Sequence, residues 1–241
     1  MTGTFAAVLW DMDGTLLDSE LLWDDAVYEL SERLGRRLTP AVRESTLGNS
    51  MTGALTKVFA FCGVEPTERA YADSAQWLTT RVGEMFEAGL PWRPGAKDLL
   101  AAVCAAGLAT ALVTNTERHL TEKALDTIGR EYFDATVCGD EVAAGKPAPD
   151  PYLRAAELLD LGPGRCLAIE DSPTGSRSAQ AAGCPVLVVP STVPIPPRAG
   201  IVVTASLAGL GVGDLAAAHS DIGNRDIGNG ELTAACENGA S

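Results

Sequence analysis

Two pairs of acidic residues follow apolar segments of this 241-residue chain. Asp11 and Asp13 come after the apolar run Ala6–Trp10, and Glu170 and Asp171 come after a second apolar run. Adjacent carboxylates repel each other unless a cation neutralises them, and hard oxygen ligands of this kind suit Mg²⁺. A carboxylate can also act as a nucleophile or exchange a proton with a reacting group. The two pairs therefore indicate a metal-dependent site.

Each acidic pair also has an alternative interpretation. The sequence Asp-Met-Asp-Gly-Thr at 11–15 could form a surface turn or part of a calcium loop. An EF-hand loop needs further oxygen ligands, however, and Leu16 and Leu17 occupy the stretch where they should fall. Asp171 could simply cap the helix that follows it.

Two further segments contain groups that suit a phosphate. Thr114 and Asn115 follow the apolar segment 108–113, and free backbone N–H groups at the start of the next helix can bind phosphate oxygens. A plain helix cap by Thr116 is the alternative. Lys146, one of four lysines, lies in a Gly/Pro-rich loop. It can offer a fixed positive charge to a phosphate and to a carboxylate, unless it is a surface turn lysine.

The sequence around these residues predicts strands that alternate with helices. The order is helix 96–106, strand 108–113, helix 117–128, strand 135–138, helix 151–159, strand 166–169, helix 174–182 and strand 185–189. This alternation predicts right-handed βαβ units and an α/β fold with a doubly wound parallel sheet, which the first strand must join. Ligands bind at the carboxyl ends of the strands in such sheets, so we expect one site there.

Residues 20–90 interrupt this alternation, because they contain no strand-like run and are rich in helix formers. Their leucine and alanine residues recur at helical spacing. Pro91–Gly95 then stops the last helix and returns the chain to the sheet. We therefore expect an inserted helical cap at 20–90 and a discontinuous core that comprises 1–19 and 91–217.

The end of the chain has a different composition. A short strand candidate occurs at 201–203, and a last helix is possible near 207–215. Residues 218–241 are rich in Gly and Asn and contain few large apolar side chains. Such a segment can bury little surface, so we expect a disordered tail.

The composition disfavours several classes of function. The net charge of −14 and the pI near 4.5 disfavour binding to nucleic acid or to an anionic membrane. No apolar run reaches the ~20 residues that span a bilayer, and no signal-type segment precedes the first strand. The six scattered cysteines predict reduced, buried thiols. We expect a cytoplasmic protein, a monomer or weak homodimer, whose partner is a small metabolite.

The order of the four segments resembles the motifs of the haloacid dehalogenase-like hydrolases. These motifs are Asp-x-Asp-Gly-Thr, Thr-Asn, Gly-Lys-Pro and Glu-Asp-Ser, each after a predicted strand, within residues 5–190. The resemblance implies a Rossmann-like core with an inserted cap. It also implies a phosphatase that forms an aspartyl-phosphate with Mg²⁺ as cofactor. The acidic pair at 170–171 argues against the dehalogenase branch, whose chemistry requires no metal.

The resemblance also implies a role for each motif residue. Asp11 would be the nucleophile and Asp13 the general acid/base. Thr114 and Asn115 would bind phosphate, and Lys146 would clamp its charge. Asp11, the backbone carbonyl of Asp13 and Asp171 would be the metal ligands, and Glu170 an outer-shell partner through water.

The cap resembles that of the sugar-phosphate branch, which includes β-phosphoglucomutase and hexitol-phosphate phosphatases. The substrate would then be a sugar or polyol phosphate. Trp23 and Met51 stand at the positions of a histidine and an arginine that the mutase uses, and this departure disfavours a mutase that needs the histidine. A mutase of the same fold is still the first alternative, and a non-catalytic binding or regulatory protein is the second. The residues we expect at the leaving group are Trp23, Asn49, Ser50 and Thr52, without a cation for a second phosphate.

Overall fold

The computed structural model describes residues 5–46, 51–87, 89–191, 195–196 and 198–222. A six-stranded parallel sheet has the strand order β3-β2-β1-β4-β5-β6. The strands are β1 (Ala7–Trp10), β2 (Ala109–Val113), β3 (Ala135–Val137), β4 (Cys166–Glu170), β5 (Val186–Val188) and β6 (Ile201–Val203). The doubly wound α/β prediction is confirmed, and the predicted strands differ from the observed ones only at their ends.

The described helices lie between the strands and after the last strand. They are α1 (Glu20–Arg33), α2 (Pro40–Thr46), α3 (Met51–Cys62), α4 (Glu68–Glu87), α5 (Ala96–Ala105), α6 (Arg118–Ile128), α7 (Asp150–Leu158), α8 (Pro173–Ala181) and α9, residues 212–222. Short 3₁₀ turns occur at Arg130–Tyr132, Gly139–Glu141 and Pro163–Arg165. None of the helices in the described part of the chain is long and apolar enough to cross a lipid bilayer.

Strand β1 lies at the centre of the sheet, and its side chains are fully buried. Leu9 pairs with Ala111 on one side and with Ala168 on the other. A parallel strand covered on both faces reads as a continuous apolar run, which explains the composition of β1. One face of the sheet packs against α7 and α8, and the other packs against α5, α6 and α9. The sheet thus presents the carboxyl end of β1 between two neighbouring strands.

Helices α1–α4 form the cap, which is inserted between β1 and α5. Arg81 of α4 donates two hydrogen bonds to the Glu29 carboxylate of α1, at 2.6 and 2.9 Å. At the connection to the core, Asp18 N donates to Pro91 O at 2.8 Å. The insertion thus begins and ends on adjacent segments.

The carboxyl-terminal helix corrects the prediction of a disordered tail from residue 218. Helix α9 continues to residue 222, and Ala218, His219 and Ile222 are buried. His219 Nε2 lies 2.9 Å from Gly164 O, and its ring packs against Phe5. The composition at 218–241 obscured this apolar face, which continues at helical spacing from Leu215. Residues 223–241 lie outside the described residues.

The predicted start of this helix was also too early. Gly209 has a positive φ of 81°, so the chain turns there, and the helix begins only at residue 212. Asp214 Oδ2 accepts a hydrogen bond from Gly211 N at 2.8 Å, which satisfies a backbone donor at the helix start.

We expect truncation after Ala217 to lower the melting temperature by roughly 5–10 °C, because it removes buried contacts of Ala218, His219 and Ile222. Thermal unfolding by circular dichroism measures the change. Truncation after Ile222 is the matched control, since it retains the whole described helix. Equal melting temperatures for the two truncations would show that residues 218–222 contribute no stability.

Candidate active site

A cavity of about 540 Å³ lies between the carboxyl edge of the sheet and the cap. The structure brings six of the residues singled out in the sequence to its wall: Asp11, Asp13, Thr114, Asn115, Lys146 and Asp171. They follow β1, β2 and β4 or lie in the loop before α7. Glu170, the last residue of β4, is fully buried against Lys146.

Asp11 is 6% exposed and has a partner on each carboxylate oxygen. Thr15 Oγ1 donates to Oδ2 at 2.8 Å, and Lys146 Nζ donates to Oδ1 at 2.6 Å. Burial, together with the negative charge of Glu170, raises the pKa of Asp11 to about 7, although Lys146 acts in the opposite direction. The carboxylate therefore needs additional positive charge to stay ionised at neutral pH.

Lys146 is held by three acceptors and by its own loop. Its Nζ donates to Asp11 Oδ1 and Glu170 Oε1, each at 2.6 Å, and to Val113 O at 2.8 Å. Burial lowers the pKa of the ammonium group, but the two carboxylates outweigh burial and raise it above its usual range. The Lys146 side chain is thus a fixed, charged group.

The Asn115 side chain holds the loop that contains Lys146 in place. Its Oδ1 accepts from Lys146 N at 2.8 Å, and its Nδ2 donates to Lys146 O at 3.1 Å. The side-chain amide is therefore engaged by the backbone of the loop. The sequence predicted a phosphate ligand here but gave no sign of this contact.

Asp13 accepts hydrogen bonds from both sides of the cavity. Ser19 Oγ, which precedes the first cap helix, donates to Oδ1 at 2.6 Å. Thr116 Oγ1 donates to Oδ2 at 2.7 Å, and Thr114 Oγ1 is 3.2 Å from the same oxygen. Thr116 is therefore a partner of Asp13. The sequence offered Thr116 as the residue that caps the start of α6, but the capping position is Glu117.

The turn at Gly14 allows the acidic segments to approach each other. Gly14 has a φ of +82°, and a Cβ on it would lie 2.1 Å from Asp171 Oδ2. Only glycine fits this position without displacing Asp171. Ser191 Oγ also donates to Asp171 Oδ2, so the carboxylate lies between the first turn and the loop after β5.

The start of helix α8 excludes the alternative that Asp171 is only a helix cap. The capping residue is Ser172, whose Oγ accepts from Gly175 N at 3.0 Å. Glu170 lies against the same turn, because a Cβ on Gly175 would be 1.9 Å from Glu170 Oε1. The two acidic side chains are thus placed by the end of β4 and the turn into α8.

Asp11, Glu170 and Asp171 form a buried acidic cluster whose ligand oxygens all lie within 4.8 Å of one another. Lys146 is the cation bonded to Asp11 and Glu170. Among the described residues, two of these three carboxylates, Asp11 and Glu170, thus share one ammonium group. This hard-oxygen donor set with excess negative charge fits a divalent cation. The ranking of Asp11 and Asp171 as direct ligands and of Glu170 as an outer-shell group stays a prediction.

The cap wall of the cavity contains only part of the predicted specificity set. Trp23 lines the cavity, with Val27 and Leu78 beside it. Thr52 does not belong to the wall, because it lies on an exposed face of α3, whereas Met51 and Ala54 line the cavity. Asn49 and Ser50 lie outside the described residues.

Arg43 of α2 corrects the prediction that the cap offers no cation. Its side chain lines the cavity, and the residue is only 7% exposed. It forms an ion pair with Asp24 and donates from Nη1 to Thr46 Oγ1. Its buried Nε has no hydrogen-bond partner among the described residues. The sequence gave little signal, because Arg43 stands beside Glu44 and resembles part of an exposed charged helix face.

We expect Asp171→Ala to weaken Mg²⁺ binding by more than about 10-fold, and Glu170→Ala to weaken it less, because a direct ligand matters more than an outer-shell group. Isothermal titration calorimetry with MgCl₂ measures both. Asp160→Ala, on the loop after α7, is a control outside the cluster. Equal affinities for the Asp171 variant and the wild type would remove Asp171 as a ligand, and equal losses for the two variants would remove only the ranking.

The lysine and the acidic cluster at the carboxyl edge of a doubly wound sheet, beneath a helical insertion, define a class of hydrolases. The chain belongs to the haloacid dehalogenase-like hydrolases, whose family model matches residues 5–183. Protein CbbY from Rhodobacter capsulatus is 34% identical over 193 residues, which cover 77% of this chain and 85% of the relative. Hexitol phosphatase B from Escherichia coli K12 is 30% identical, with coverage of 77% and 83%.

A solved structure shows the same fold. CbbY from Rhodobacter sphaeroides, crystallised as a mutant with xylulose-1,5-bisphosphate, superposes with a TM-score of 0.78 at 30% identity. The match covers 88% of this chain and 99% of the CbbY chain. Both the sheet and the inserted helices are therefore shared with that relative.

Proposed function

We propose that the protein is a Mg²⁺-dependent phosphatase of small phosphomonoesters, in particular sugar or polyol phosphates, acting through an aspartyl-phosphate on Asp11. The observation that carries this proposal is the Asp11 carboxylate in the cavity wall, with Lys146 Nζ 2.6 Å from its Oδ1. A carboxylate in this place can attack a bound phosphorus atom while the ammonium group offsets the charge of the phosphate. The phosphatases among the relatives support the same reaction class.

The reaction would take two steps. An Asp11 oxygen bonds to phosphorus, the bond from phosphorus to the ester oxygen breaks, and the alcohol leaves with a proton from Asp13. A water molecule then attacks the phosphorus, gives a proton to Asp13 and releases inorganic phosphate, which restores the Asp11 carboxylate. Asp13 serves both steps, and its bonds to Ser19 and Thr116 fix it beside Asp11.

The residues that would hold Mg²⁺ are Asp11, Asp171 and the backbone carbonyl of Asp13. When bound, the ion would offset the negative charge that a phosphate brings to the site. Lys146 supplies the second positive charge. Thr114 Oγ1 accepts from Thr116 N at 3.0 Å, which places its hydroxyl at the start of α6, where a phosphate oxygen can bind.

The cap wall supports a phosphorylated polyol or sugar as substrate. Trp23 offers a flat apolar face and one N–H donor, which suits a sugar ring. Arg43 adds a cation to the same wall. Among the relatives, one is named hexitol phosphatase, and CbbY has been crystallised with xylulose-1,5-bisphosphate. These observations favour a substrate with hydroxyl groups beyond the transferred phosphate.

Phosphate release from a panel of esters with Mg²⁺ tests the proposal. The panel contains para-nitrophenyl phosphate, hexitol phosphates, pentose and hexose phosphates, and matched mono- and bisphosphates of one sugar. We expect turnover of para-nitrophenyl phosphate and a preference for at least one sugar or polyol ester. Absence of phosphate release from every ester, by folded protein with Mg²⁺, would refute the phosphatase assignment.

We expect Trp23→Ala to change the ranking of esters in this panel by about 10-fold or more, while turnover of para-nitrophenyl phosphate changes little. The reason is that phosphate contacts are common to all esters, so discrimination must come from the cap. Trp77→Ala, a cap tryptophan outside the cavity wall, is the matched control. If Trp23 only packs the cap helices, its loss lowers the melting temperature and leaves the ranking intact.

A further inference from the structure

We propose that Tyr152 is a positioning residue of the active site, which keeps Glu170 and Lys146 in place beside Asp11. The inference rests on the proposed function, because it concerns the same acidic cluster. Tyr152 lies in α7 and is fully buried against the sheet. In the sequence it looks like an ordinary core residue of an amphipathic helix, and none of the four motifs includes it.

Tyr152 contacts the cluster in two ways. Its hydroxyl donates to Glu170 Oε1 at 2.6 Å. Its ring centroid lies 5.1 Å from Lys146 Nζ, within the range of a cation–π contact. The Tyr152 hydroxyl and the Lys146 ammonium group therefore donate to the same oxygen, Glu170 Oε1. The Tyr152 ring also packs beside that ammonium group.

The shared oxygen explains why the phenol matters. Glu170 is fully buried and accepts from Lys146 and Tyr152 on Oε1 and from Ser172 on Oε2, at 3.2 Å. Without the phenol, this carboxylate loses a short hydrogen bond. Because Glu170 is fully buried, bulk water cannot replace that bond. Glu170 Oε1 is then left with Lys146 as its donor and attracts the ammonium group more strongly, because a buried carboxylate needs compensating donors.

A displacement of Lys146 toward Glu170 would weaken its contact with Asp11. Asp11 and Asp171 would then repel each other with less compensation, and their oxygens would separate. The site would therefore be less well organised for a divalent cation and for attack on phosphorus. Tyr152 acts through Glu170 and Lys146 and does not line the cavity.

Two variants separate the hydroxyl from the ring. Tyr152→Phe removes only the phenol oxygen, whereas Tyr152→Leu also removes the aromatic face beside Lys146. Tyr71→Phe is the matched control, because the Tyr71 hydroxyl is hydrogen-bonded to Thr56 Oγ1 at 2.7 Å, in the cap. The full chain is used, and the measurements are the Mg²⁺ dissociation constant by calorimetry, kcat and KM with para-nitrophenyl phosphate, and the melting temperature.

We expect Tyr152→Phe to weaken Mg²⁺ binding and to lower kcat at saturating Mg²⁺, each by about 10-fold. Tyr152→Leu should lower kcat by about another threefold, through the lost cation–π contact. Tyr71→Phe should leave both quantities within twofold of the wild type. If Tyr152→Phe lowers only the melting temperature, with the Mg²⁺ dissociation constant and kcat within twofold of the wild type, Tyr152 is a packing residue and the proposal is wrong.

The Mg²⁺ measurement keeps this proposal separate from the proposed function. Calorimetry needs no substrate, so the role of Tyr152 can be decided even if the wild type hydrolyses none of the esters. An active wild type with an unaffected Tyr152→Phe variant would retain the phosphatase assignment and reject the positioning role. A wild type that binds no Mg²⁺ would overturn both.

Discussion

Asp11→Asn should lower phosphate release by at least about 10⁴-fold, because the amide is nearly isosteric but is a poor nucleophile. The fold should persist. The amide oxygen can still accept from Lys146, and the Thr15 hydroxyl that now donates to Oδ2 can accept from the amide N–H. The loss would therefore come from chemistry. Phosphate release from para-nitrophenyl phosphate at saturating Mg²⁺ measures it.

The matched control for this variant is Asp126→Asn, which makes the same change on an exposed position of α6. It should retain full turnover. Circular dichroism shows whether Asp11→Asn is folded, and Mg²⁺ calorimetry shows whether it has lost a metal ligand as well. Turnover by folded Asp11→Asn within tenfold of the wild type would exclude Asp11 as the nucleophile.

The same variant has a consequence for stability in the absence of metal. Burial and Glu170 raise the pKa of Asp11 from 3.8 to about 7, so the folded protein holds a proton that the unfolded chain releases. The stability contributed by this proton is present at low pH and is lost as pH rises toward and through about 7. In EDTA, Asp11→Asn should therefore melt above the wild type at pH 8. At pH 5, where wild-type Asp11 is protonated when folded, the difference should be smaller.

The parts of the fold that sequence reasoning predicted are those with strong local signals. Strand β1 is a fully apolar run that stops at Asp11, and the same pattern ends β4 at Glu170. In a parallel sheet, strand ends of this kind lie at one edge, so the sequence already places Asp11 near Asp171. Gly14 adds the turn that brings their oxygens together. Periodicity and strand alternation thus sufficed for the sheet and for the acidic cluster.

Most of the missed residues have no local signal. Tyr152 and Thr116 look like a helix core residue and a helix cap, and their hydroxyls are assigned to Glu170 and Asp13 only once the strands are assembled. Arg43 has the appearance of a surface charge and becomes buried because α2 packs over the cavity. For Ile222, the low overall apolar content outweighed a helical spacing that was present in the sequence. Contacts between distant segments therefore account for most of what was missed.

Lys146→Met should produce the second largest loss, a decrease in kcat/KM of about 10²–10³-fold, the range found when one preorganised charge-stabilising group is removed. Met has a similar length but no charge. The loss of the ammonium group removes the lysine donor from Asp11 Oδ1 and Val113 O. Glu170 Oε1 then keeps only the Tyr152 hydroxyl of its two donors. The effect should appear in kcat as well as KM, because Lys146 contacts the nucleophile itself.

The electrostatic consequence makes this variant a separate test from Asp11→Asn. Lys146 lowers the pKa of Asp11 in the wild type, so its loss should raise that pKa further and make the folded protein less tolerant of high pH. Breaking a buried ion pair costs on the order of 3–5 kcal/mol, and protonation of the carboxylate relieves part of this cost. In EDTA, Lys146→Met should therefore be least stable near pH 8, and its stability should recover toward pH 5. Asp11→Asn, in contrast, should be more stable than the wild type at pH 8.

An exposed lysine supplies the control for Lys146→Met. Lys97→Met removes an ammonium group that lies 5.9 Å from the Trp92 ring centroid on the surface, and it should change neither turnover nor the pH dependence of stability. Lys146→Arg keeps the charge but replaces a compact ammonium group with a planar fork. Since the three acceptors around Lys146 Nζ lie within 2.6–2.8 Å, the fork should not fit, and activity should stay low. If Lys146→Met keeps kcat/KM within tenfold of the wild type, the lysine is only a structural partner of the buried carboxylates, and the charge that offsets the phosphate must come from elsewhere in the site.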